Sequence, residues 1–223
     1  MNILIKNIRF IIIVLAVFLI YQYAAKYFHE NKILKEMVAR LEADSRGAQV
    51  LVTNVSFDEQ TGRNLTTIKF QEFDAQQKPL APKYFTFSGN LIQFQSLVIR
   101  FDDIRIRQAD KFRGKSAYLF MKVFVLDGKN TQVFDIAKVN EVPLGYQIDG
   151  ASHFEKRLWE RFWGYALNAD QAKDMGIKNA QIEAPGTVFV PGTLYTIKIE
   201  HDGGLRIEAQ ALPEILKGER IGA

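Results

Sequence analysis

Hydrophobic residues change their spacing twice along this chain. From Phe10 to Ala25 (FIIIVLAVFLIYQYAA) they run almost unbroken, with Gln22 the only strongly polar side chain. Over residues 26 to 46 they recur at intervals of three and four, the period of a helix with one apolar face. From Gln49 onward they alternate with polar residues, the period of a strand buried on one side.

The first segment predicts a membrane-spanning helix. A span needs about 20 residues at about 1.5 Å each to cross a hydrocarbon core of about 30 Å. Phe10, Ile11, Ile12, Ile13, Val14, Leu15, Val17, Phe18, Leu19 and Ile20 supply its apolar body, and part of Asn2–Ile8 extends it. Tyr21, Tyr23, Tyr27 and Phe28 gather at the far end, where aromatic rings favour the membrane interface. A cleaved signal peptide and a buried core helix compete with this reading. Cleavage after Ala25 would put Tyr23 at the −3 position, where a small residue is required.

Orientation follows from the flanking charges and is contested by them. Lys6 and Arg9 precede the segment, whereas Lys26, Lys32, Lys35 and Arg40 follow it. The Lys/Arg count alone would keep the following domain in the cytoplasm. The short preceding tail leaves little there for an anchor to hold, so the expectation is the opposite orientation, with the domain outside.

The second segment places Ile33, Leu34, Met37, Val38 and Leu41 on one helical stripe, with Lys32, Lys35, Glu36, Arg40 and Glu42 on the other face. Glu36 and Arg40 are spaced for an i,i+4 ion pair, and Gly47 stops the pattern. The stripe either packs on the domain or membrane, or binds a partner or a second copy. Barely two heptads are present, short of a coiled-coil signature.

Strands are expected from Gln49, over Leu65–Phe73, Tyr84–Phe87, Leu91–Ile106, Ala117–Leu126, Gln132–Val139, Val188–Val190, Leu194–Glu200 and Leu205–Ala211. Asp127-Gly128-Lys129-Asn130 and His201-Asp202-Gly203-Gly204 are hairpin signals. Ser152 and Glu155 form a capping box ahead of a helix whose apolar face holds Phe154, Leu158, Trp159, Phe162, Tyr165 and Ala166. Asn168 caps a second short helix over Ala169–Met175. The fold class that results is α+β, mainly antiparallel β, as a sandwich or partly open barrel of eight to ten strands with one or two inserted helices, preceded by the transmembrane helix. The expected organisation is a tail over 1–9, a signal anchor over 10–25, a juxtamembrane amphipathic helix over 26–47, a β-rich domain over 48–212 and a C-terminal tail over 213–223.

Composition narrows the chemistry. With 48% apolar and 24% charged residues, the 223-residue chain has the make-up of a folded protein. The absence of cysteine removes disulfides, thiolate metal sites and thiol catalysis. A net charge of +4 suits residence beside an anionic membrane but is too dilute for nucleic acid.

Motifs add little. Ala109-Asp-Lys-Phe-Arg-Gly-Lys-Ser116 meets a relaxed phosphate-loop pattern, but it holds one glycine and a strand is expected after it. Arg105, Arg107, Lys111, Arg113 and Lys115 cluster in the same stretch. They form either a solvated, charge-protected edge or a patch for anionic groups such as lipid heads. His29, His153 and His201 have no neighbouring ligand pair. The aromatic helix packs on the sheet in the simplest reading. Trp163, at the edge of its apolar face, is the residue best placed for partner recognition.

No catalytic or metal signature stands, no cofactor is expected, and an enzyme is not. The architecture resembles that of periplasmic subunits of bacterial envelope machines, some of which carry lipid through a β-jellyroll. That resemblance covers an architecture and no specific residues. The leading expectation is a non-enzymatic structural or adaptor subunit of a membrane complex, single-pass in the bacterial inner membrane with a periplasmic domain. The alternative is an anchored carrier of lipid or another hydrophobic ligand. Expected partners are the membrane and other complex subunits or a second copy, with lipid as a further candidate and no nucleic acid.

Overall fold

The computed structural model describes residues 2–41, 47–74, 77–101, 116–127, 130–143, 153–174, 177–199 and 204–212. It contains an N-terminal helix and a β-rich unit, the boundary between them falling after Glu36.

Helix α1 runs without a break over Asn2–Leu41. The residues after Ala25 continue the same helix to Leu41. No Pro or Gly occurs between residues 2 and 41, so nothing interrupts the helical hydrogen bonds at the end of the apolar run. At about 1.5 Å per residue the 40 residues extend about 60 Å. The stretch Ile11–His29 is long and apolar enough to cross a membrane.

The β unit is an antiparallel sandwich, as the period-two alternation predicts. Strands β1 (Gly47–Asp58), β2 (Arg63–Glu72), β3 (Lys83–Ser88), β9 (Thr193–Ile199) and β10 (Leu205–Ala211) form one sheet in the order β10-β9-β1-β2-β3. Strands β4 (Leu91–Phe101), β5 (Ser116–Asp127), β6 (Asn130–Asp135) and β7 (Ile177–Glu183) form the other in the order β6-β5-β4-β7, and the short β8 (Gly186–Val188) also pairs with β4. Every strand pair is antiparallel. The two hairpin signals were sound: Asp127 pairs with Asn130 across a two-residue loop, and β9 pairs with β10.

One aromatic cluster joins the sheets. The Phe70 ring of β2 stacks on Phe94 of β4 at 5.4 Å and meets Phe120 of β5 edge-on at 5.1 Å. Phe94 also meets Phe189, whose ring lies 4.3 Å from Tyr195 of β9. The Tyr195 hydroxyl donates to Val188 O (3.0 Å) and accepts from Val190 N–H (2.9 Å), pinning the segment after β8 to the first sheet. Aliphatic side chains from both sheets, including Val50, Ile68, Ile92, Val98 and Val123, fill the space around the rings.

One side of the sandwich is closed by side chains. Phe134 of β6 packs on Phe85 and Phe87 of β3. Ser88 N–H donates to Gln132 Oε1 at 2.7 Å, and Lys83 Nζ donates to Ile136 O at 2.6 Å. At the far edge of the first sheet, Glu208 is held by Lys198 and Arg206, a charged outer face of the kind that discourages edge pairing.

The second sheet is buried on both faces along part of its length. Leu97, Ile99, Leu119 and Met121 point away from the aromatic core yet are buried. Helix α2 (His153–Leu167) contributes the buried Leu158, Trp159, Phe162 and Tyr165, and it contacts β7 and α3 (Ala169–Asp174). Asn168 caps α3 as expected, its Oδ1 accepting from the Asp170 and Gln171 amides at 3.1 Å each.

Phe70→Ala removes the ring that touches both sheets, and large-to-small changes of this kind cost about 3–5 kcal/mol. Denaturant unfolding of the full chain should show that loss, whereas Val139→Ser on the exposed surface should stay within about 0.5 kcal/mol of the parent.

Candidate functional site

The predicted anchor residues from Ile11 to Ile20 present apolar side chains that are exposed among the described residues. Ile11, Ile12, Ile13, Val14, Leu15, Val17, Phe18, Leu19 and Ile20 are 52% to 68% exposed. Such a surface is costly in water. The backbone of Phe10 belongs to the same helix, and its side chain lies outside the described residues. The stripe of Ile33, Leu34, Met37, Val38 and Leu41 continues on α1, and these side chains are also outside the described set.

Trp163 requires a correction. It is only 2% exposed, its ring packs edge-on against Phe162, and its indole Nε1–H donates to Glu141 O at 2.9 Å. With ring and N–H both committed inside the fold, it is a core residue with no surface for recognition. The sequence places it at the margin of the helix's apolar face, and the 139–143 segment covers that margin.

The basic cluster of Arg105, Arg107, Lys111, Arg113 and Lys115 lies outside the described residues. Arg100, just before it, pairs with Glu183 at 3.5 Å across β4 and β7. The Gly-Lys-Ser sequence runs into strand β5 at Ser116, not into a helix. A helix N-terminus is what a phosphate loop needs there. No group of three or more His, Asp or Glu side chains that could hold a metal ion occurs among the described residues.

Among the described residues, pockets open at two places on the β unit. The first, of about 510 Å³, lies where the β1–β2 hairpin meets the β3–β4 turn and is lined largely by Arg63, Asn64, Thr66, Ser88 and Asn90. Gly89 there has φ +102°, a conformation that favours glycine, and its N–H donates to Asn64 O at 2.8 Å. The second, of about 430 Å³, opens between β2, β3 and the segment after β6. Its walls are mostly apolar, from Phe70, Leu80, Leu119, Phe120, Ile136 and Pro143, and two charged residues reach it, Glu72 and Lys83.

Strand parity explains why charges enter an apolar pocket. On β2 the inward series is Thr66, Ile68, Phe70 and then Glu72; on β3 it is Lys83, Phe85 and Phe87. Each charge continues a core-facing row at the end of its strand. Burial of Lys83 lowers its pKa below the usual lysine value, and the attraction of Glu72 only partly offsets this. The alternation that reveals these residues is visible in the sequence, but a strand read as Tyr84–Phe87 stops one residue short of Lys83.

No known protein family, curated protein or solved structure matches this chain.

The outer face of the second sheet completes the surface. Leu91 pairs with Val188, and Phe124 with Val133. With Leu126 these residues point away from the aromatic core, beyond the buried Leu97, Ile99, Leu119 and Met121. Leu91, Leu126, Val133 and Val188 are 46% to 52% exposed and form an apolar area on this face.

The lowered pKa of Lys83 has a stability consequence. Folding disfavours its ammonium, a penalty present in full below the folded pKa and relieved as pH rises from there towards the unfolded value of 10.5. The melting temperature of wild type relative to Lys83→Gln should therefore rise across the alkaline range below 10.5. A constant difference would contradict this assignment.

Proposed function

We propose that this protein is a non-enzymatic structural or adaptor subunit of a membrane complex, anchored by α1 with its β unit in the bacterial periplasm. The observation that carries the reading is where apolar surface is left over. The sandwich interior is filled by the rings around Phe70, while the chain exposes an apolar helix and the Leu91, Leu126, Val133 and Val188 face. A bilayer is the natural cover for the helix, and a neighbouring subunit for the sheet face. The stripe from Ile33 to Leu41 extends the same logic beyond the membrane.

The carrier alternative is supported by a different observation, the apolar second pocket. Its volume is within the range of small-ligand sites, about 300–1,000 Å³. Such a carrier would hold its ligand in this pocket, at the margin of the sandwich.

Cross-linking in the native membrane, followed by sizing, tests the adaptor reading. The wild-type chain should appear in a discrete complex. Leu126→Asp combined with Val188→Asp, and separately deletion of residues 29–46, should dissolve that complex while the chain stays in the membrane pellet after alkaline washing. A chain that remains monomeric throughout would refute the adaptor role. Release of the wild type by the wash would refute the anchor.

A further inference from the structure

The second pocket combines three features that together define a ligand. Its walls are apolar over most of their extent, from Phe70, Leu119, Phe120 and Ile136. Its volume of about 430 Å³ suits a small molecule. One cationic side chain, Lys83, is held at it by β3, with Nζ positioned through its hydrogen bond to Ile136 O. We propose that this pocket binds a single-chain amphiphile bearing a carboxylate, with the acyl chain along Phe70, Phe120 and Ile136 and the carboxylate against Lys83 Nζ.

The chemistry selects this class. An ammonium carries three donors, and Ile136 O takes one of them. The half-buried charge is only partly compensated by Glu72, so a further anion stabilises it. Glu72 in the same wall repels any anionic head in proportion to its charge, so a monocarboxylate is disfavoured less than a dianionic phosphate. The aliphatic and aromatic lining in turn requires an apolar chain, and a small carboxylate such as acetate would leave that lining without a partner. The site goes beyond the adaptor reading and does not depend on it.

The test uses the full chain in phosphatidylcholine nanodiscs with a dodecanoate probe carrying a diazirine on its acyl chain. The matching dodecanol probe serves as the neutral control, and mass spectrometry maps the cross-links. Dodecanoate should label peptides containing Leu119–Phe120 and Ile136–Pro143 saturably, and unlabelled dodecanoate should compete. Lys83→Gln, which keeps a donor for Ile136 O, should reduce that labelling at least tenfold, and so should Ala137→Trp, which fills the pocket. If Ala137→Trp does not fold, the Lys83→Gln comparison decides. Cross-links confined to α1, equal labelling by dodecanol, or a Lys83→Gln chain labelled like wild type would each overturn the proposal.

Discussion

The sandwich depends on the Phe70 ring lying between Phe94 and Phe120. Through these three rings the middle of the first sheet touches the second, at 5.1 Å and 5.4 Å between centroids. Offset and edge-on pairs of this kind add to the hydrophobic gain of burying the rings. The other contacts between the sheets extend outward from this point. Phe94 passes to Phe189 and Tyr195, which lock the β8 segment, and Phe134 closes the β3–β6 side over Phe85 and Phe87. The inward aliphatic residues then pack around a frame of rings.

A filled interior moves function to the margins. The centre of the sandwich is occupied by rings, so the surfaces open to the proposed recognition are those where burial is incomplete: the exposed Ile11–Ile20 side chains of α1, the outer face around Leu126, and the pockets at the ends of strands. Lys83 and Glu72 occupy one such end because the inward-facing rows of β3 and β2 continue past the last apolar residue. The same alternation that builds the core delivers a charged pair to its rim.

Much of this fold was legible in the chain. The change of period near Gln49 marks the passage from helix to sandwich, the Asp127–Asn130 turn sets the β5–β6 pairing, and Asn168 caps α3. These features rest on local chemistry, which a sequence displays directly. What was not legible depends on contacts between distant segments. Trp163 reads as a residue at the edge of a helical face until the segment carrying Glu141 covers it. Sheet order, with β9 inserted beside β1 and β7 beside β4, is set by which faces meet, and no local signal encodes it. The continuity of α1 past Ala25 accords with the lack of Gly and Pro between residues 2 and 41.

The central claim, an anchored subunit that works through its exposed surfaces, is most directly tested by native mass spectrometry of the full-length protein gently extracted from its own membrane. Intact mass, stoichiometry and bound small molecules are read together. The account predicts a chain that retains its N-terminal helix and travels in a defined hetero- or homo-oligomer. A chain shortened by the apolar segment, or a lone monomer, would contradict it.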